Sequence, residues 1–413
     1  MAYSYQIGEA KNNNTAYNCL LATHTLNSIV SLFVTTFLTA HIYSFNGDTY
    51  AYLYNVAIFN MVYYLGYALL SLPLSKIVDK TNRVGMYRIG IVLKTLLVIS
   101  FIFFGKSLAK LLVIAGILNA VGDAFYYSSY NVLRLEMVSR KQSSSFASVY
   151  YILAKIVEVV CPIVLGALID TVTFSCTAVV VLIVCVAQVV VSLFVKSKRP
   201  EGSGFSLREY IRILKKRKDV NKKIGYMYII SAIYGVSYLL TTLMNVCVML
   251  EYGSNFSLGI ITSLFSIGAI FMILFMTKFT KPGKRSWLFL ICALLPVVAS
   301  IIFVIKINQF SVVLLNGVVI ITAIVYKVLF DAHRNSNLKE AGLYDQISEH
   351  LTIIEVLAGH SRFACFAVVF GVSLLKSLAL FKIMIVVTTI MCGMIHILIL
   401  LYEKKYLREN NSQ

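Results

Sequence analysis

The sequence predicts an all-α polytopic membrane protein, with twelve transmembrane helices arranged as two pseudo-symmetric six-helix bundles. Three observations carry that prediction. Of the 413 residues, 59% are hydrophobic and 13% charged, more apolar surface than a water-soluble core of this size can hide. The apolar residues fall into twelve runs of about 20 residues or more, the length that crosses a hydrocarbon layer roughly 30 Å thick. Six runs precede and six follow one basic stretch at 195–223. Inside lipid each run is expected to be helical, because a helix satisfies its own backbone polar groups.

Taken in order, the N-terminus 1–17 is polar and carries no cleavable signal pattern, since the first apolar run is already a full span. Span 1 is expected at 18–42, span 2 at 49–74, span 3 at 86–104, span 4 at 108–134, span 5 at 145–169 and span 6 at 174–195. The second half supplies span 7 at 224–250, span 8 at 258–279, span 9 at 287–305, span 10 at 310–330, span 11 at 351–375 and span 12 at 378–402. The longer intervals exceed a straight crossing and are expected to tilt or project beyond the membrane. The expected units are 1–195, a linker at 196–223, and 224–413. Within the linker, Ser206-Leu-Arg-Glu209 is a capping box that opens a short helix. Its apolar residues, Tyr210, Ile211 and Leu214, are expected at the membrane interface.

The formal net charge of +19 raises the question of nucleic acid, and the positions of the charges answer it. With the termini on one side, 28 of the 37 lysines and arginines share that side. Only Lys106, Lys110, Lys306, Lys376 and Lys382 lie opposite, and Lys94, Lys155, Lys327 and Arg362 fall inside spans. That is the positive-inside pattern, which places both termini in the cytoplasm, makes anionic headgroups the natural counter-charge and argues against a nucleic-acid partner. The eight cysteines show neither CxxC nor Cys/His ligand spacing and read as buried free thiols, with no metal site and no cofactor.

The halves repeat one another at a nearly constant offset. Ser31-Leu-Phe-Val-Thr35-Thr36 matches Ser237-Tyr-Leu-Leu-Thr241-Thr242, Asn131-x-x-Arg134 matches Asp331-x-x-Arg334, and Glu158-x-x-Cys161 matches Arg362-x-x-Cys365. Two halves related by an axis along the membrane normal are a transporter architecture.

The loop after span 2 reads Ser75-Lys-Ile-Val-Asp79-Lys80-Thr81-Asn82-Arg83. It resembles the signature loop of the major facilitator superfamily, G-x-x-x-D-[RK]-x-G-[RK]. Asp79, Lys80 and Arg83 keep the charged positions, while Ser75 and Asn82 replace the glycines; Asn tolerates a left-handed turn better than most residues. The corresponding loop of the second half, 278–285, is basic and lacks the Asp. Span 5 carries Cys161-Pro162-Ile-Val-Leu-Gly166, similar to the family's antiporter signature with Cys in place of a Gly. Span 4 offers Asn119-Ala-Val-Gly122-Asp123 and no Arg, which departs from many proton-driven members. The resemblance implies alternating access, a latch built on Asp79, Lys80 and Arg83 with Asp79 facing a helix end of the other half, and a cavity lined by the first helix of each half.

Two polar stripes are the candidate cavity walls. His24, Asn27, Ser28, Ser31 and Thr35 recur at spacings of three or four in span 1, and Ser231, Tyr234, Tyr238, Thr241 and Asn245 do so in span 7. Interhelical hydrogen bonding is the alternative use of such a stripe. Intramembrane charges are costly and usually functional. Asp123 lies in mid-span 4, ahead of Tyr126, Tyr127 and Tyr130; Lys155 and Glu158 are three apart in span 5; Glu355 and Arg362 share span 11. Glu158 has two possible partners, Lys155 in its own helix or Arg362 at its repeat position. Asp123 and Glu158 are the candidate proton-coupling carboxylates, and the tyrosines are candidate walls for a cationic or amphipathic solute. Lys94 carries less information, because the resemblance implies that span 3 is peripheral.

The function expected is a secondary transporter of a small solute, a monomer in the cell membrane, coupled to protons and favouring efflux. Uptake by symport and lipid translocation on the same fold are the alternatives. No GxxxxGK[ST] loop is present to bind ATP, and the six histidines lack HxxxH spacing, so a membrane-embedded enzyme is disfavoured.

Overall fold

Hydrophobic length sets where the helices lie, and polar capping sets where several of them begin. The computed structural model describes residues 14–44, 48–137, 143–196, 204–279, 285–343 and 346–406. The polar N-terminus before residue 14 and residues 280–284 of the second-half loop lie outside them. Twelve helices among the described residues are long and apolar enough to cross a membrane. Spans 1 to 6 are Tyr17–Tyr43, Thr49–Lys80, Arg83–Phe104, Ser107–Arg134, Ile152–Thr171 and Phe174–Ser192. Spans 7 to 12 are Lys218–Tyr252, Asn255–Met276, Ser286–Ile305, Gln309–Arg334, Ile347–Leu375 and Leu378–Tyr406. Spans 2, 7 and 10 run past their apolar cores into polar turns, because a helix in water still satisfies its own backbone.

Asp48 accepts from the backbone N–H of Ala51 at the start of span 2, Asn82 from Gly85 at span 3, and Thr173 from Cys176 at span 6. Each such cap supplies an acceptor for an orphan amide, worth about 1 kcal/mol. Asn82 has φ −72°, so its role is this cap and not the left-handed turn its sequence position suggested. Span 1 carries one wide π turn at Phe33–Phe37, which includes Thr35. Span 7 stops at Gly253 in the left-handed conformation, φ +61°.

The pairing of helices repeats between the halves. Span 2 packs on 4, 3 on 4, 3 on 6, 1 on 6 and 1 on 5; correspondingly 8 packs on 10, 9 on 10, 9 on 12, 7 on 12 and 7 on 11. Across the halves, span 2 lies along span 11 and span 5 along span 8, one contact being the image of the other. Spans 3, 6, 9 and 12 are peripheral. Val179, Ile183, Val186 and Val190 form an exposed apolar stripe along span 6 at spacings of three or four, as a lipid-facing helix requires.

The span ends that carry the linker form one face of the molecule, here the linker face, and the opposite ends form the far face. A large apolar cluster straddles the halves near the far face, with Val56 and Phe59 of span 2 joining Leu243 and Met244 of span 7 and Phe366 of span 11. Toward the linker face a cleft remains between spans 2, 4 and 11. The linker helix Leu207–Lys216 buries Tyr210 and Leu214 against Ile224, Leu338 and Leu351 of the second half. Of the apolar side expected to face the membrane interface, Tyr210 and Leu214 are thus covered by protein, because the projecting ends of spans 7, 10 and 11 form an apolar seat for them, while Ile211 stays exposed. Cys185, Cys247, Cys292 and Cys392 are buried free thiols, whereas Cys176 is exposed.

Candidate functional site

The deepest charge in the first half is a pair. Lys94 of span 3 lies 2.5 Å from Asp123 of span 4, with both side chains almost fully buried. The ammonium also donates to Asn27 Oδ1 at 3.1 Å and Ser31 Oγ at 3.0 Å, both on span 1. Tyr63 of span 2 donates its hydroxyl to the second carboxylate oxygen at 2.7 Å. Tyr126 and Tyr127 place their rings 5.6 and 5.9 Å from the ammonium. Four helices therefore converge on one ion pair, and its hydrogen bonds offset the cost of removing two charges from water. Lys94 was set aside on sequence grounds as peripheral; although its helix faces lipid elsewhere, its side chain points inward.

The span 1 stripe is turned toward its own half. His24 Nδ1 lies 2.9 Å from the Tyr126 hydroxyl, and the ring stacks on Tyr130 at 3.9 Å between centroids. Asn27 and His24 are 1% and 6% exposed, so they do not front an open cavity in this conformation. Thr35 is exposed, and its hydroxyl returns to the Ser31 carbonyl. In span 7, Ser231 and Asn245 are buried, while Tyr238 and Thr241 are exposed and Tyr234 is intermediate. Tyr234 packs on Tyr326 and Phe330 of span 10, at 5.6 and 5.7 Å between centroids. Tyr238 is the residue of this stripe that reaches across: its ring lies 6.4 Å from Tyr64 of span 2.

Of the two partners open to Glu158, the local one is taken. Glu158 pairs with Lys155 in its own helix, and the Glu158–Arg362 pair is not formed. Three residues apart on a helix, the first two groups meet at no conformational cost. Arg362 instead lies 3.8 Å from the centre of the Tyr238 ring and 5.2 Å from that of Tyr64.

The cleft between spans 2, 4 and 11 is lined by Asp79 and Glu355 from the expected residues. It is also lined by Tyr67, Ser71 and Thr352, which sequence reasoning passed over, and by Ser75, which it read only as a glycine replacement in the signature loop. Their signal was present as Tyr67, Ser71 and Ser75 at four-residue spacing in span 2.

At the linker face the signature loop engages the linker. Asp79 pairs with Arg83 at 3.1 Å and accepts the Phe205 backbone N–H at 2.5 Å. The next amide, Ser206, donates to Glu349 of span 11 at 2.9 Å. Two successive linker amides therefore tie a carboxylate of one half to a carboxylate of the other. Thr352 donates to Ser75 at 3.0 Å beside them. Lys80 is exposed. In the second-half loop, Arg285 finds its acid in span 12, pairing with Glu403, which also meets His333 Nε2 at 2.9 Å.

The far face has its own closure, whose acid was not foreseen. Asp170 at the end of span 5 caps the start of span 8, accepting from the Phe256 amide at 2.8 Å, the Asn255 amide at 3.1 Å and the Ser254 hydroxyl at 2.8 Å. Just inside it the helices touch through glycine. A Cβ on Gly259 would fall 2.2 Å from the Pro162 carbonyl oxygen, and one on Gly166 would fall 2.4 Å from that of Asn255. Pro162 and Gly166 of the span 5 motif therefore form part of the contact surface between the halves.

A family model described as Major Facilitator Superfamily matches residues 19–332. No curated protein matches the chain. Among solved structures, an inward-facing bacterial homologue of the iron transporter ferroportin has a TM-score of 0.66 at 14% identity, covering 95% of this chain and 98% of that one. The nucleoside transporter NupG, as a D323A mutant, gives 0.67 at 11% identity, covering 94% and 99%. A POT family transporter in complex with 5-aminolevulinic acid gives 0.66 at 12%, covering 94% and 96%. These likenesses are of fold, and they agree with the paired halves, the signature loop and the twelve spans: the chain belongs to the Major Facilitator Superfamily.

Proposed function

We propose that this membrane transporter moves a small solute by alternating access, its two halves rocking about the space between spans 1, 2, 7 and 11. The observation that carries the reading is the presence of two separate inter-half closures at opposite ends. One is a capped, glycine-packed contact at the far face, and the other is a carboxylate–linker–carboxylate strap at the linker face. Each includes polar contacts that can part, and parting one while the other holds is what alternating access requires. The basic excess on the linker face supports a cytoplasmic position for that face and for both termini. The protein acts as a monomer in the cell membrane.

The coupling centre is assigned to Asp123, with Glu158 as the second candidate. A proton reaching Asp123 must displace Lys94, and that exchange loosens spans 1 and 2 at once, because Asn27, Ser31 and Tyr63 bond to the same pair. Efflux is the favoured direction, on the span 5 motif.

Pulsed-EPR distances test the cycle in a variant whose native cysteines are replaced. Spin labels at Val172 and Leu378 read the far face, and labels at Lys76 and Lys404 read the linker face. A proton gradient imposed across proteoliposomes is expected to lengthen one distance while shortening the other. Distances that change together, or not at all, reject the reading. Asp123→Asn is expected to abolish the response, and if both it and Glu158→Gln leave the response intact the coupling assignment is wrong.

A further inference from the structure

The buried lysines and arginines of the described residues are Arg83, Lys94, Arg285 and Arg362. The first three each hold a carboxylate within 4 Å, namely Asp79, Asp123 and Glu403. Arg362 holds none, no group among the described residues accepts a hydrogen bond from its guanidinium, and its Nε is enclosed without a partner. It is 8% exposed and lies in mid-span 11. The nearest acid on its own helix, Glu355, sits two turns away, about 10 Å along the axis. A cation at this depth that feels an acid only from a distance, as Arg362 feels Glu355, is expensive, whereas each of the three comparable groups has its cost offset by an anion in direct contact.

The surroundings of Arg362 are built to receive one. Tyr238 lies under the guanidinium at 3.8 Å, and Tyr64 of the other half lies 5.2 Å away. Tyr238 is 38% exposed although Tyr64 and Arg362 stand against it from spans 2 and 11. Its open edge therefore lies where spans 2, 7 and 11 meet. A guanidinium stacked on a ring keeps its in-plane donors free for a two-oxygen acceptor.

We infer that Arg362 is the anchor of a substrate site for a water-soluble organic anion, a carboxylate or phosphate carried on a compact apolar or aromatic body, and not a lipid, that packs along Tyr238. This deepens the transport reading above and rests on it. It also gives the solute a part in closure, since the anion sits between a cation of the second half and Tyr64 of the first.

The test uses the full chain in uncharged detergent micelles, with indole-3-acetate and tryptamine as probes that share one ring system and differ in the sign of the charge. Indole-3-acetate is expected to raise the thermal midpoint saturably, and tryptamine to leave it unchanged. Arg362→Gln is expected to weaken the indole-3-acetate response by about tenfold or more, and Arg362→Lys to retain part of it. The sign discrimination of the unmodified protein decides the matter even where Arg362→Gln fails to fold. A response to tryptamine, no response to indole-3-acetate, or an undiminished response in folded Arg362→Gln overturns the inference. So does stabilisation by dioleoylphosphatidic acid alone, which would make the anion a lipid headgroup. Because binding is read without transport, the two readings fail separately. Halves that alternate while indole-3-acetate is ignored overturn only this site. Indole-3-acetate bound to halves that do not alternate overturns the transport reading.

Discussion

At the scale of the residue, Lys94 is the most instructive side chain. A lone lysine in a lipid-facing helix reads as a marginal feature, yet four helices depend on its ammonium. Removing one partner of such a pair strands the other and costs about 3–5 kcal/mol, whereas removing both costs less. Lys94→Met and Asp123→Asn are each expected to lower unfolding stability by that order in detergent, and the double variant by less than either. A double-mutant cycle in denaturant measures this, and simple additivity of the two losses would show that the groups are not energetically paired. His24 shows the converse. Its place in the polar stripe suggested a cavity wall, but stacking on Tyr130 and bonding to Tyr126 make it part of the first half's interior.

At the scale of the element, spans 5 and 8 carry the far-face closure by close approach. Gly259 has no room for a Cβ against the Pro162 carbonyl, a backbone atom that does not rotate away. Gly259→Ala is expected to separate the helices there and to raise the labelling rate of the neighbouring Cys161 by a membrane-impermeant maleimide, read by peptide mass spectrometry. An unchanged rate would place the closure elsewhere. Asp170 acts on the same contact through the partial positive charge and free amides at the start of span 8. Asp170→Asn is expected to weaken far-face closure by about 1 kcal/mol, roughly fivefold in the closed-to-open ratio, with a smaller effect at high salt. Far-face EPR distance distributions read that ratio, and salt-independence would exclude an electrostatic cap. The linker helix belongs to this scale as well: its capping box was readable, while the surface that covers Tyr210 and Leu214 was not.

At the scale of the whole molecule, the proposed cycle makes the linker face and the far face rival closures of one two-state body. Holding one shut is therefore expected to prevent the conformation in which the other is shut and the first open. The hydroxyls of Ser75 and Thr352 are 3.0 Å apart across the halves. Oxidising the pair Ser75→Cys and Thr352→Cys is expected to hold the linker face closed, abolish the paired distance changes, and release both on reduction. Persistent alternation in the oxidised protein would remove this contact from the mechanism.

Much of the architecture was legible in one dimension. The twelve spans, the break between halves, the basic face and the loop around Asp79 all follow from run length, charge position and local motif, and none needs to know which way a helix faces. Helix ends were less legible, since spans 2, 7 and 10 continue past their apolar stretches where the backbone can hydrogen-bond to itself in water. The sites were legible only as inventories. Sequence named Asp123, Glu158, Glu355 and Arg362 as the costly charges, and even the choice between Lys155 and Arg362 for Glu158 stayed open until the helices were placed.

What the sequence by itself determined is therefore the order, approximate extent and duplication of the helices. Tertiary structure alone decided the partners: Lys94 to Asp123, Asp79 to the Phe205 amide, Asp170 to the start of span 8, and Arg362 to aromatic rings instead of an acid. The physical reason is rotational. Hydrophobic length puts a helix in the bilayer, but which residue meets which depends on each helix's turn about its own axis, and that is set by packing against helices hundreds of residues away in the chain.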